Sequence, residues 1–172
     1  SHFYCKATSA LEHFDCHFLT FAIGSCKIIF IRKKAWILCK KLAESNGGVW
    51  MFRVLLVDDE APFVENMLAF DWAKNNCECV GVAYNGEEAL HLAGMMFPHI
   101  IITDVHMPRM DGIELINTLR EKYPEIQVIL LTAYSVFSYA QAALRVNAVD
   151  YVVKDSSFEQ NLSGALQKAC AT

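Results

Sequence analysis

The 172-residue sequence lacks an uncharged apolar run of the roughly 18 residues that a spanning helix needs. Its most apolar stretch, Phe18 to Ile31, is interrupted by Lys27 and followed by Arg32-Lys33-Lys34, so no membrane span is expected. Those basic residues follow the run instead of preceding it, the reverse of a secretory signal. Cysteine occurs at Cys5, Cys16, Cys26, Cys39, Cys77, Cys79 and Cys170, an odd number without regular spacing. That excludes a disulfide framework and points to a reducing, cytoplasmic compartment. Cys77 and Cys79 stand two apart on a strand and share a face, but no second Cys or His pair has zinc-like spacing, so their expected role is structural. Internal repeats, low-complexity tracts and basic helices suited to DNA are missing too.

What is present divides near Met51. Residues 1 to 50 carry seven Lys or Arg against three Asp or Glu, and residues 51 to 172 carry eight against sixteen. The formal charge of −4 therefore joins a basic front to an acidic remainder. Met51 directly precedes a strand typical of a domain's first residues. Asn46-Gly47-Gly48 can be encoded by a purine-rich stretch where a bacterial ribosome-binding site would lie. Residues 1–50 are accordingly expected to be a non-domain N-terminal extension, translated upstream sequence or a cloning artefact. The codons of Gly47-Gly48 test this. Residues 51–172 are long enough to bury one core.

From Met51 onward strand and helix alternate. Arg53-Val54-Leu55-Leu56-Val57 predicts a buried strand ending in Asp58-Asp59-Glu60. A helix begins at about Pro62, proline being welcome in a first turn, with Phe63, Met67 and Phe70 on one face. A second strand around Val80–Ala83 reaches Tyr84-Asn85-Gly86, and Glu87 and Glu88 suit the positive end of a helix running to about Phe97, where Pro98 breaks it. Ile100-Ile101-Ile102-Thr103-Asp104 has no polar alternation and reads as a strand buried on both faces. Pro108 and Asp111-Gly112 then turn the chain into a helix from Ile113 to about Tyr123, burying Ile113, Ile116 and Leu119. Val128–Leu131 forms the fourth strand and ends in Thr132. A helix follows over about 135–146, then the strand Tyr151–Val153 ending in Lys154, and last a helix from Phe158 to about Ala169 with Phe158, Leu162, Ala165 and Leu166 facing in. Strict alternation with right-handed crossovers allows little except an α/β, five-stranded doubly wound parallel sheet.

In such a sheet the chemistry lies in the crevice beyond the carboxyl ends of the strands. Four strand ends there supply Asp58 and Asp59, Asp104, Thr132 and Lys154. Converging carboxylates repel one another unless a cation sits among them, and hard oxygen ligands that leave room for water suit Mg²⁺. A divalent ion, an ammonium and a hydroxyl around one exposed carboxylate make a phosphoryl-transfer site, with Asp104 as nucleophile and Lys154 and Thr132 on the phosphoryl oxygens. Singly, each residue has a plainer reading. Asp59 or Glu60 could cap the helix at Pro62, Asp104 could form a turn, Thr132 could cap the following helix, and Lys154 could be a solvated strand end. Their joint placement at different strand ends favours the site.

At these residues the chain from 52 to about 170 resembles a response-regulator receiver domain of bacterial two-component signalling. The resemblance rests on Val57-Asp58-Asp59-Glu60, on Thr103-Asp104 with Met107-Pro108 and Asp111-Gly112, on Leu131-Thr132-Ala133, and on Tyr151 with Lys154 three residues on. It implies a flavodoxin-like (CheY-like) fold of strand order 2-1-3-4-5 and phosphorylation of Asp104 by a sensor histidine kinase. It further implies Mg²⁺ bound by Asp58, or more often Asp59, with Asp104 and the backbone carbonyl of His106. It implies a switch in which Thr132 is drawn to the phosphoryl group and Tyr151 turns inward, with a homodimer possible on phosphorylation.

Phe70-Asp71-Trp72 and the stretch Ala133 to Ala140 resemble receivers that precede an AraC-type helix-turn-helix output domain, which is expected to act in transcription. No DNA-reading element is visible before Thr172, and an acidic domain is not expected to bind nucleic acid directly. The expected activity is that of a phospho-acceptor with limited self-catalysed phosphotransfer and autodephosphorylation. Two alternatives fit less well. A phosphatase of the haloacid dehalogenase type would need a DxDx[TV] motif after the first strand, and a flavodoxin-type flavin module would need a Ser/Thr/Gly-rich loop there. One departure from the family is Asp155, where proline usually follows the lysine. A cis bond before a non-proline residue costs about 2.5–4 kcal/mol, so Lys154-Asp155 is expected to be trans, with an added carboxylate near the site.

Overall fold

The structure is a computed structural model that describes residues 50–133 and 148–171. The front extension to residue 49, the helix predicted over 135–146 and the rest of the signature after Ala133 lie outside the described residues. Five strands form one parallel sheet: β1 (Phe52–Val57), β2 (Cys77–Ala83), β3 (Ile100–Asp104), β4 (Gln127–Thr132) and β5 (Asp150–Val153), in the order β2-β1-β3-β4-β5. This is the predicted 2-1-3-4-5 arrangement. Four described helices connect or cover them: α1 (Ala61–Leu68), α2 (Gly86–Met96), α3 (Gly112–Lys122) and α4 (Phe158–Ala171).

β1, β3 and β4 lie inside the sheet and are buried along nearly their whole length. Leu55, Val57, Ile101, Val128 and Leu130 share one core with Ala89, Ala93, Leu115, Ile116 and Leu119 of α2 and α3. Residues of the opposite parity, among them Val54, Leu56, Ile100, Ile102, Ile129 and Leu131, are equally inaccessible. They face the other layer, where α4 packs over β4 and β5 through Leu162, Ala165, Leu166 and Ala169. Burial on both faces is why these strands read as unbroken apolar runs. Each buried Ile or Leu contributes about 1.5–3 kcal/mol.

The helix starts are made by local chemistry. Asn85 caps α2 by accepting from Glu88 N–H at 3.0 Å, while a Glu88 carboxylate oxygen accepts from Tyr84 N–H at 2.8 Å. Asp111 caps α3 by accepting from Glu114 N–H at 2.8 Å. Each such cap satisfies an amide that has no partner within its helix.

Several expectations are corrected in detail. α1 stops at Leu68, so Phe70 is not on its face, and the buried positions are Val64 and Met67. Beyond this end, where Ala69 and Phe70 N–H donate to Asn66 O and Met67 O, Trp72 folds back: its indole N–H donates to the Met67 carbonyl at 3.0 Å and its ring meets Phe70 edge-on at 5.0 Å. Asp71 accepts from Lys74 N–H at 3.1 Å and opens a turn of 3-10 helix at Ala73–Asn75 that was not anticipated. In α3 the buried stripe is Leu115, Ile116 and Leu119, with Ile113 at its margin, and Phe158 of α4 is likewise only half-buried. β2 starts earlier than expected, at Cys77, and its pairing jumps from Val54–Cys79 to Leu55–Gly81, leaving Val80 as a bulge. Cys77 is buried, with its sulfur 4.0 Å from that of Cys170, and serves packing between β2 and α4.

Candidate functional site

β1 and β3 lie side by side with Val57 paired to Thr103, so their next residues, Asp58 and Asp104, open on the same crevice. Asp58 continues the sheet by donating its N–H to Ala83 O at 3.0 Å, and Val105, next to Asp104, donates to Leu131 O at 3.1 Å. The side chains are then fixed in matching ways. Asp58 Oδ1 accepts from Glu60 N–H at 3.0 Å, and Asp104 Oδ2 accepts from His106 N–H at 2.7 Å. Both are short Asx-type turns, in which the carboxylate binds the amide two residues on. The remaining oxygens, Asp58 Oδ2 and Asp104 Oδ1, lie 2.7 and 2.9 Å from Lys154 Nζ.

Lys154 reaches this point from the end of β5. Its N–H donates to Thr132 O at 2.8 Å, which ties the ends of β4 and β5 together. Its ammonium also lies 3.4 Å from Glu60 Oε2 and 4.3 Å from the centre of the Phe63 ring. Asp58 is fully buried, and Asp104 and Thr132 are 7% and 2% exposed. Burial pushes the Asp58 carboxyl above its ordinary range, although hydrogen bonds from Lys154 and Glu60 and the Lys154 charge pull it down; the charge of Asp104 adds to the rise. For Lys154 burial acts downward, but hydrogen bonds and charge from Asp58 and Asp104 outweigh it, so its pKa rises and the ammonium persists.

The loop after Asp104 is built to bring α3 close. Arg109 adopts a left-handed φ of 69°, Met110 O accepts from Gly86 N–H at 3.1 Å, and Gly112 N–H donates to Val105 O at 3.0 Å. Gly112 lies so near the carbonyl of Asp104 that a Cβ there would overlap it.

Of the residues singled out in the sequence, Asp58, Asp104 and Lys154 come together directly, and Thr132 is joined through its main chain. Asp59 is exposed and makes no ion pair with Lys154. His106 is exposed and offers its amide to Asp104, and Tyr151 is 43% exposed. Glu60 occupies the cap position of α1 but makes no side-chain cap; its carboxylate turns to Lys154 instead. Sequence reasoning missed that role and missed Phe63 beneath the ammonium, because both depend on contacts between segments more than ninety residues apart. Asp155 does not crowd the site. Its carboxylate accepts from Ser157 N–H at 2.8 Å and Ser157 Oγ–H at 2.7 Å, bonds that hold its pKa low. The Lys154–Asp155 bond is trans, as expected.

Among the described residues no three Asp, Glu, His or Cys side chains gather as a ready-made metal cluster. The donor set nevertheless suits a hard cation. Asp58 Oδ2 is buried and, the Lys154 ammonium apart, meets no donor, and Asp104 stands beside it. Two such carboxylates are oxygen ligands of the kind Mg²⁺ takes while keeping several waters.

Comparison with known proteins agrees with this geometry. Residues 54–166 match the family model described as the response regulator receiver domain. The uncharacterized transcriptional regulatory protein YesN of Bacillus subtilis (strain 168) is 35% identical over 122 residues, covering 70% of this chain and 33% of YesN. The regulatory protein AtoC of Escherichia coli (strain K12) is 39% identical over 108 residues, covering 63% of this chain and 23% of AtoC. Among solved structures, the REC domain of AraT, a response regulator from Geobacillus stearothermophilus, superposes with a TM-score of 0.63 at 36% identity, covering 70% of this chain and 96% of that one. The chain thus spans at most about a third of the two curated relatives.

Proposed function

The chain belongs to the response regulator receiver domain family of two-component signalling, and from that premise we propose that Asp104 is its phospho-acceptor and that phosphorylation switches a transcriptional output. The observation that carries this reading is one largely enclosed ammonium, Lys154 Nζ, held 2.7 Å from Asp58 and 2.9 Å from Asp104. It leaves a carboxylate at the mouth of an α/β crevice with its counter-charge already in place.

In the proposed transfer, a carboxylate oxygen of Asp104 attacks the phosphorus of a histidine kinase's phosphohistidine. The O–P bond forms as the N–P bond breaks, and the imidazole leaves with the electron pair and takes up a proton. Lys154 neutralises charge on the phosphoryl oxygens, and the Thr132 hydroxyl donates to one of them. Asp58, Asp59, Asp104 and the carbonyl of His106 would hold Mg²⁺, which when bound offsets the charge gathered by the phosphoryl group and the carboxylates. Limited autodephosphorylation, by water attack on the acyl phosphate, belongs to the same reading.

Tyr151, now 43% exposed beside α4, is the proposed second half of the switch and turns inward as Thr132 moves to the phosphoryl group. We assign the receiver to residues 51–172 and treat residues 1–50 as an extension outside it. The proposed setting is cytoplasmic; no described helix is long and apolar enough to cross a membrane. The proposed partners are a sensor histidine kinase, an AraC-type output domain and a second copy after phosphorylation.

Intact-mass measurement after incubation with acetyl phosphate and Mg²⁺ tests the core of this. One phosphoryl group should be gained, and the gain should vanish in Asp104→Ala and with chelator. A wild-type protein that gains none would overturn it.

A further inference from the structure

We propose that Phe63, backed by Phe158, is the positioning residue that holds Lys154 over the phospho-acceptor. The inference rests on the reading of Asp104 above and adds a residue that no strand end supplies.

A lysine side chain has four rotatable methylenes, and three carboxylates compete for this one. Asp58 and Asp104 draw it into the crevice, and the exposed Glu60 offers a position 3.4 Å away at the solvent edge. The inward pose is completed by the Phe63 ring, whose centre lies 4.3 Å from Nζ. An ammonium is attracted to the face of an aromatic ring, more strongly where water is excluded, and the Lys154 side chain is only 10% exposed. The ring is itself oriented. Phe158, the first residue of α4, meets it edge-on with centroids 5.3 Å apart and an interplanar angle of 76°.

Core packing does not account for the ring. The buried residues of α1 are Val64 and Met67, and Phe63 and Phe158 are both half-buried. Phe63 meets the Lys154 ammonium and Phe158 meets Phe63, so their route to Asp104 runs through the ammonium. Asp155 leaves Lys154 to this arrangement, because its carboxylate is taken by Ser157.

The test compares wild type with Phe63→Leu, which keeps apolar volume and loses the ring, and Phe63→Tyr, which keeps the ring. Two readouts are taken on the full chain: the rate of phosphoryl uptake from acetyl phosphate with Mg²⁺, and the NMR shift of the Lys154 ε-methylene protons, which the ring moves upfield. Phe63→Leu should slow uptake about 3- to 10-fold and return the ε-protons to ordinary lysine shifts, and Phe63→Tyr should restore both. Urea midpoints show whether the fold is intact, and a slower Leu variant with unmoved ε-protons has lost only packing and overturns the proposal. Equal rates in wild type and Phe63→Leu overturn it as well. A wild-type chain that takes up no phosphoryl group refutes the receiver chemistry instead, and the ε-proton shift then still decides whether Phe63 holds Lys154.

Discussion

Asp58 and Asp104 present themselves to Lys154 in the same way: each gives one oxygen to a main-chain amide two residues on and the other to the ammonium, at 2.7 and 2.9 Å. With both carboxylates locked by their own turns, neither can swing away if the cation is removed. Lys154→Met should therefore leave two facing carboxylates uncompensated and destabilise the protein by roughly 3 kcal/mol at pH 7. Burial already lifts the Asp58 pKa, and losing Lys154 removes the largest effect opposing that lift. A folded-state pKa above the unfolded value means that the folded state takes up the proton first as pH falls. The deficit should shrink at pH 5, and urea midpoints at the two pH values check it; an equal loss at both would contradict the account.

Gly112 sets how closely α3 can approach the end of β3. An added Cβ would overlap the Asp104 carbonyl, which is backbone and cannot turn aside as a flexible side chain could. Gly112→Ala should cost about 1–3 kcal/mol and, by displacing Asp104, slow phosphoryl uptake at least about 10-fold. Gly164 in α4 is the contrast, since a Cβ there meets nothing within 4 Å. Gly164→Ala should stabilise by roughly 0.5–1 kcal/mol through helix propensity and leave uptake unchanged. Denaturation curves and uptake rates for the pair separate close approach from the general effect of replacing glycine.

Much of this architecture was legible because β3 is extreme. Ile100–Asp104 matched its predicted limits, since a doubly buried strand admits no polar residue until the sheet ends and the next polar side chain marks the crevice. The same logic reached Asp58 and Lys154. It could not rank Asp58 against Asp59, because which of two neighbouring carboxylates turns inward depends on where the turn to Glu60 closes. The end of α1 was hidden for a different reason. No glycine or proline marks it, and the Trp72 indole that bonds the Met67 carbonyl reaches it from outside the helix. In α3 the choice of Ile113 over Leu115 came from a spacing of three throughout, whereas the true stripe mixes steps of one and three.

His99 gives the fold an acid limit. Its ring packs against Trp50 and Phe52, and Nδ1 accepts the Arg53 N–H at 2.9 Å, so the neutral form is required. Burial, with the Arg53 charge behind it, lowers its pKa to about 4. The unfolded chain binds a proton near the ordinary value and the folded chain resists, so stability is full above about pH 6.5 and is lost as pH falls toward 4. Between pH 7 and 5 this group should cost about 2 kcal/mol. His99→Asn keeps an acceptor for Arg53 N–H and removes the titration. Its stability should change less than that of wild type over the same interval, and parallel curves would show that His99 is not the group responsible.

The proposed cation site yields the last prediction. Asp58 Oδ2 is already committed to Lys154, whereas Asp59 is exposed and makes no ion pair with that lysine, so an ion entering from solvent meets Asp59 first. On this account Asp59 contributes affinity without contributing to the apo fold, and Asp58 contributes to both. Mg²⁺ at about 100 times its Kd should raise wild-type stability by roughly 2.7 kcal/mol, and EDTA should reverse the gain. Asp59→Asn should weaken the Mg²⁺ response about 10-fold or more while leaving the metal-free melting curve in place. Asp58→Asn should shift that metal-free curve as well, because it takes one carboxylate from a buried ion pair. Thermal melts of the three proteins across a Mg²⁺ titration distinguish these roles, and a metal-free melt of Asp59→Asn displaced as far as that of Asp58→Asn would show that the two carboxylates are not divided in this way.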